Sequence, residues 1–298
     1  MSDLTSIIHP ILPELQRFEK GFLALLSSEV APLDTILSYV AEVRGKRLRP
    51  SLVLLSARLF GSPSEATFRT SWFVELIHTA TLIHDDVVDG TAARRGRAAV
   101  HVRWDTPKAV LAGDYLLGRA MQLLANADDL PILAEMLDTT AAMSEGELMQ
   151  LKKQRTGNEI RRDEDDGTAP GNPEDGAPGT LAGETLSKED YLEVITRKTA
   201  LLFRSCCVGG ALSMQASDEA IRPLADYGLH LGRVFQLRDD QLDADDATTV
   251  RWAEQLIGGE LDQALEAAKT LETVLKAETK ETLETLKTLA VFCAERTH

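Results

Sequence analysis

Two acidic clusters set the tightest limit on what this chain can become: Asp85-Asp86-Val87-Val88-Asp89 and, far downstream, Asp239-Asp240-Gln241-Leu242-Asp243. Each reads D-D-x-x-D, and each closes a long stretch whose apolar residues recur at helical spacing. Residues four apart share one face of a helix, so Asp85 and Asp89 point the same way, as do Asp239 and Asp243. Like charges at that spacing repel, and late in a helix the backbone dipole disfavours each by about 0.3–1 kcal/mol. A chain that carries this penalty twice needs a cation to offset it. The donors are oxygens with no Cys or His set nearby, which fits a hard ion, most simply Mg²⁺. Mg²⁺ held by a few carboxylates completes its shell with water and phosphate oxygens. The clusters therefore predict a phosphate- or diphosphate-handling site between two helices.

Composition narrows the scaffold. The chain has 298 residues, 5% of them aromatic, and a net charge of −15. Leu and Ala abound and strand-like alternation is rare, so a single all-α domain over residues 1–298 is expected. The negative charge argues against nucleic acid as a partner, because a phosphate backbone requires a basic footprint. It also argues against simple electrostatic docking on anionic membranes. Three cysteines give neither a disulfide framework nor zinc spacing, which points to a reducing compartment. No signal-like leader follows Met1 and no apolar run reaches the length of a membrane span, so a cytoplasmic location is expected.

Apolar periodicity predicts helices near 4–29, 33–43, 50–60, 65–89, 106–126, 128–151, 187–215, 218–243, 250–276 and 278–296. Pro10 and Pro13 blur the start of the first. Ser62-Pro63-Ser64-Glu65 reads as a helix start with Ser62 as cap, and Gly90 supplies the stop. Residues 152–186 are rich in Gly, Pro, Asp and Glu and poor in large apolar side chains, which predicts a mobile surface insertion.

Holding a polyanion in register takes fixed cations as well as a metal. Lys46, Arg47 and Arg49 follow Gly45; Arg94, Arg95 and Arg97 follow the first acidic cluster; Lys198 precedes Thr199 inside a predicted helix. Any one group alone could be a solvated ion pair worth little. Beside two D-D-x-x-D clusters, all three read as phosphate contacts.

The same stretches resemble a known family. Leu82-Ile83-His84-Asp85-Asp86-Val87-Val88-Asp89-Gly90 with Arg94-Arg95-Gly96 looks like the first aspartate-rich motif of the trans-isoprenyl diphosphate synthases, and Phe235-Gln236-Leu237-Arg238-Asp239-Asp240-Gln241-Leu242-Asp243 looks like the second. Gly45–Pro50, Gly113–Leu117, Gly146-Glu147-Leu148-Met149-Gln150-Leu151 and Lys198-Thr199-Ala200 match in the family's order. The resemblance implies a bundle of long helices around a central cavity, usually as a homodimer. It implies that isopentenyl diphosphate is held by Lys46, Arg49, His78 and Arg95, and the allylic diphosphate by Arg94 and Lys198. It implies Mg²⁺ ligands at Asp85, Asp89 and Asp239, supported by Asp243 and Asp86, with Thr199 and Gln236 beside the reacting carbons. Taken without the family, His78, Thr199 and Gln236 would pass as ordinary helix residues, and Tyr115 and Phe235 as core.

The implied reaction condenses isopentenyl diphosphate with an allylic diphosphate, with at most transient membrane contact as the lipid-like product leaves. One helical turn before Asp85 come Thr81 and Ala80, with Ile77 a turn further back; small side chains at 80 and 81 predict an open floor and a long product of the quinone-tail class. Geranylgeranyl or farnesyl length, a catalytically weak regulatory subunit and an ionisation-driven terpene cyclase are the competing readings. One departure stands out. After Asp243 the family normally continues with a Gly/Lys-rich segment carrying a lysine that faces the allylic diphosphate, whereas here Ala244–Val250 leads almost directly into the next helix.

Overall fold

Prolines and caps decide where the helices break. The computed structural model describes residues 3–43, 45–127, 129–165, 187–243 and 247–297, with the backbone alone for 152–165. Helices α1 (Leu4–Ile7) and α2 (Leu12–Leu25) flank a 3₁₀ turn at His9–Ile11, so the single helix expected over 4–29 is three pieces. Pro10 and Pro13 each sit in a first turn, where a missing N–H is tolerated. Helices α3 (Ala31–Ala41) and α4 (Leu48–Arg58) follow. Helix α5 (Glu65–Val88) starts at Ser64 rather than Ser62. Ser64 accepts the Thr67 N–H at 3.2 Å and its own N–H donates to the Thr67 hydroxyl at 3.0 Å, a reciprocal cap that Ser62 does not make. Gly90, at φ 64°, ends the helix as expected.

A two-stranded hairpin that periodicity did not reveal comes next: β1 (Ala93–Arg94) pairs antiparallel with β2 (Arg97–Ala98). Its two-residue loop, Arg95-Gly96, has φ of 50° and 76°, the sign pattern of a type I′ turn. Helix α6 is Val100–Arg103, and α7 (Thr106–Ala125) is capped by Asp105, which accepts the Lys108 N–H at 2.8 Å. Helix α8 runs Leu130–Asp165, through the first part of the stretch expected to be an insertion. Lys, Gln, Arg and Glu favour helix there, and acidic and basic residues alternate at helical spacing. The remainder, 166–186, lies outside the described residues.

Helix α9 (Lys188–Ile195) has a capping box between Ser187 and Asp190 and passes through a π-helical turn at Thr196–Ala200 into α10 (Leu201–Leu212). Helices α11 (Asp218–Asp243), α12 (Ala247–Val274) and α13 (Lys280–Glu295) complete the bundle.

The core forms around α4, whose Leu52, Val53, Leu54 and Leu55 are all fully buried. A helix apolar on every side must be central. Helix α10 packs on it so closely that a Cβ at Gly210 would lie 2.5 Å from the Val53 carbonyl oxygen, and α11 closes on α10 through Gly228 and Gly232. A second apolar cluster joins α2, α3, α5 and α7. Helices α5 and α11 cross between these regions and end in the two acidic clusters.

A Cβ at Gly232 would stand 2.5 Å from the Ala200 Cα, in the π-helical turn. Gly232→Ala is expected to lower unfolding stability by about 1–3 kcal/mol through overpacking. Gly258→Ala, on α12 with open space around it, is expected to leave stability unchanged or raise it. Urea unfolding of the two variants checks both.

Candidate functional site

The basic half of the site begins where the chain turns into α4. Arg47 caps that helix in the left-handed conformation, at φ 54°. Its guanidinium is held by Glu19 and Glu75 and lies 5.0 Å from the Phe22 ring centroid. Arg49 is half-buried, and desolvation lowers its pKa from the ordinary value. Its Nη1 lies 3.0 Å from Nε2 of His78. A guanidinium can only donate, so that ring nitrogen accepts and His78 is neutral. Burial, then the field of Arg49 and neighbouring arginines, pushes the His78 pKa well below its usual range, in agreement. The Arg49 Nε is buried with no hydrogen-bond partner. A desolvated cation whose hydrogen-bonded neighbour is neutral marks a place built for an anion.

The hairpin faces this group. Arg94 donates to Asp86 at 2.8 Å, which ties the hairpin to α5, and Arg97 pairs with Glu42 at 2.6 Å. Arg95 sits at the tip with φ 50°, a conformation that is costly for a side chain with a Cβ and recurs at functional sites. Lys46, Arg49, His78 and Arg95 line one cavity of about 690 Å³. Asp86 of the first acidic cluster and Asp239 and Asp243 of the second line it too.

Burial first, and neighbouring acids second, disfavour charge on the acidic walls. Asp85 is half-buried, and its pKa is pushed up to about 6 by burial, then by Glu147 and Asp89, against Lys198 and Arg94. Asp239 and Asp240 are also raised, by burial first. Lys198 favours the charged form of both Asp85 and Asp240, so it lies within electrostatic reach of both clusters. Its ammonium is 2.6 Å from Glu147 and 3.0 Å from the Gln150 amide oxygen.

On the second wall a chain of hydrogen bonds joins Thr199, Gln236, Asp240 and Tyr191. The Thr199 hydroxyl donates to Gln236 at 2.8 Å, the Gln236 amide donates to Asp240 at 2.8 Å, and the Tyr191 hydroxyl donates to Asp240 at 2.6 Å. Arg296, just beyond α13, donates to Asp239 at 2.6 Å and to the Phe235 carbonyl at 3.0 Å, and lies 4.1 Å from the Phe235 ring centroid.

Among the described residues no three metal-capable side chains converge into a closed cage. The walls still suit a hard divalent ion. Their donors are all oxygen, and the carboxyls of Asp85, Asp239 and Asp240 are all raised, by burial first and then by neighbouring acids.

The structure thus brings the sequence-selected Lys46, Arg49, His78, Arg94, Arg95, Asp239 and Asp243 onto one cavity, with Asp85, Lys198, Thr199 and Gln236 linked into the adjoining walls. Asp89 is exposed at the end of α5. Ile77 and Ala80 lie apart from that cavity. Both are fully buried in the cluster with Phe73, Leu76, Ala112 and Leu116, while Thr81 is half-buried. The small side chain at 80 is filled by packing rather than left as open floor, because α7 lies close on α5; Gly113 leaves just enough room for the His84 ring.

Sequence reasoning missed Glu147, Gln150, Tyr191 and Arg296, and read Phe235 as core although it lines the cavity. Glu147 and Gln150 lay in a quoted motif; Arg296 carried no signal.

These contacts sit in the all-α fold of the isoprenoid synthases. A polyprenyl synthase from Caulobacter crescentus, solved with calcium and isoprenyl diphosphate, superposes with a TM-score of 0.76 at 26% identity over 99% of this chain and 98% of its own. Octaprenyl diphosphate synthase of Haemophilus influenzae is 35% identical over 231 residues, covering 78% of this chain and 62% of that protein. An all-trans-nonaprenyl-diphosphate synthase of Rhodobacter capsulatus is 32% identical over 246 residues, covering 82% and 67%. The polyprenyl synthetase family model matches residues 30–251. The chain belongs to the polyprenyl synthetase family.

The raised Asp85 pKa has a definite sign in stability. The native state holds this proton more tightly than the unfolded chain, so metal-free protein should lose stability as pH rises from about 4 to about 6. Asp85→Asn is expected to flatten that part of the profile, as read by urea midpoints across the pH series.

Proposed function

We propose that this protein condenses isopentenyl diphosphate with an allylic diphosphate to give a trans-polyprenyl diphosphate. The observation that carries this reading is the meeting of a cation group and both acidic clusters at one cavity. The named activities of the relatives support it.

Asp85, Asp89 and Asp239, with Asp243, would hold Mg²⁺, which when bound supplies Lewis-acid stabilisation of a leaving diphosphate. Lys198 and Arg94 bind the allylic diphosphate as point charge and planar fork. Lys46, Arg49, His78 and Arg95 bind the diphosphate of the acceptor, where Arg49 already lacks a full set of partners. Thr199 and Gln236, fixed by their mutual hydrogen bond, stand beside the reacting carbons. Ionisation of the allylic C–O bond gives a cation that the acceptor double bond attacks, and the departing diphosphate takes the proton. Fixed charges placed where charge develops act without reorganising, which is how such a site lowers the barrier.

The product is of the long-chain class. Ala80 and Thr81 present no aromatic block one turn before Asp85, and octaprenyl and nonaprenyl synthases are among the relatives. Tail growth along α5 requires Ile77, Ala80 and their packed neighbours to part. A homodimer belongs to the same reading. Leu130, Ala134, Leu137, Ala141 and Leu148 form an exposed apolar stripe along α8. Among the described residues no helix is long and apolar enough to cross a membrane; a cytoplasmic location, with transient membrane contact at product release, accords with this reading.

Purified protein given Mg²⁺, isopentenyl diphosphate and an allylic starter is expected to yield elongated prenyl diphosphates, resolved by length after dephosphorylation. Failure to elongate, together with binding to a homologous synthase, would assign the protein to the regulatory-subunit class instead. In the same assay Ala80→Phe or Thr81→Phe is expected to shorten the product ladder. An unchanged ladder would rule out the α5 face as the path of the tail.

A further inference from the structure

Glu147 is a half-buried charge that the proposed chemistry leaves without a task. It lies on α8, opposite the π-helical turn that carries Lys198. The two elements meet closely: a Cβ at Gly146 would stand 2.8 Å from the Lys198 amide nitrogen and 2.8 Å from the Arg197 Cβ. At this contact two adjacent cations part company. Arg197 turns outward to Glu145 and to Glu193, the latter at 2.6 Å. Lys198 turns inward to Glu147 at 2.6 Å and Gln150 at 3.0 Å. The inward pair is the less exposed, at 28% and 16% for the Lys198 and Glu147 side chains. Glu147 spends only one oxygen on the lysine; Oε1 is buried without a hydrogen-bond partner.

A lysine has four rotatable bonds and no planar fork, so it does not orient itself. Left alone on a half-buried turn, the Lys198 ammonium would sample several positions among the nearby carboxylates. We propose that Glu147, assisted by Gln150, is a positioning residue that aims Lys198 into the space between the two acidic walls and so sets the affinity for the allylic diphosphate. The proposal rests on the prenyltransferase reading and adds to it a residue that acts only through Lys198. The π-helical turn, the close approach at Gly146 and the outward sorting of Arg197 all serve this aim. Preorganisation of this kind raises affinity by removing the ordering cost from the binding step.

The test is calorimetric binding, with Mg²⁺, of an allylic thiolodiphosphate that resists ionisation, and separately of isopentenyl diphosphate. Glu147→Ala is expected to weaken the allylic analogue about tenfold, the scale of one charge-assisted hydrogen bond, and to leave isopentenyl diphosphate binding unchanged. Glu147→Gln retains an acceptor and is expected to restore most of the loss. Gln150→Ala is expected to show the same selectivity with a smaller effect, and it keeps the proposal testable if Glu147→Ala does not fold.

The decisive comparison is the pair. Glu147→Ala added to Lys198→Ala should weaken binding no further than Lys198→Ala alone, because a residue that works through the lysine has nothing left to position. Additive losses, an equal loss for isopentenyl diphosphate, or no effect of Glu147→Ala would overturn the proposal. Wild-type protein that binds no allylic analogue would overturn the prenyltransferase reading itself, an outcome distinct from these.

Discussion

Carboxylates concentrated at the ends of two helices repel, and the surrounding bundle is arranged to withstand that repulsion. Each wall carries its own protein cation. Arg94 lies on Asp86, Lys198 stands among Glu147, Asp85 and Asp240, and Arg296 rests on Asp239. These cations come from a hairpin, a π-helical turn and the segment beyond α13, none of which is adjacent in sequence to the wall it serves, except Arg94. Even beside these cations burial leaves Asp85, Asp239 and Asp240 with raised pKa values. A metal-free chain can therefore fold around its acidic site and still favour further positive charge there.

Close helix packing delivers these groups to one place. Glycines at 146, 210, 228 and 232 let α8, α10 and α11 approach to distances that a Cβ would forbid. The buried helix α4 then presents Arg49 from its first turn, and α5 presents His78 and Asp86 about two turns apart. The cavity lies where the rigid ends of several elements converge. In the adjoining wall Gln236 is fixed from both sides, between Thr199 and Asp240. Such groups need little rearrangement when a charged ligand arrives.

Much of this was legible in the residues, for local reasons. The helices at Thr106–Ala125 and Asp218–Asp243 agree with the apolar periodicity of their residues. The acidic clusters and the Gly45–Pro50 block were legible because their chemistry is written in short spacings. What stayed hidden depends on contacts between distant segments. The hairpin has strands too short to alternate, and Arg-Gly replaces the usual Asn-Gly at its turn. The π-helical turn leaves the composition of its helix unchanged. The helix through 152–165 was masked by its polarity, since a helix with many charges and no apolar stripe resembles a loop in composition. Arg296 could be placed only by knowing that α13 ends over α11.

Arg47 and Arg95 share the left-handed backbone with Gln215 among the described non-glycine residues. Such a conformation costs an ordinary side chain roughly 1–2 kcal/mol, which glycine avoids. At position 95 the residue that would relax the hairpin also lacks the guanidinium that faces the cavity. Thermodynamic robustness and anion capture therefore pull the same codon in opposite directions. Variants selected only for heat tolerance would drift toward glycine or asparagine at this tip, and a stabilised lineage of this kind would be recognised by a quieter active site.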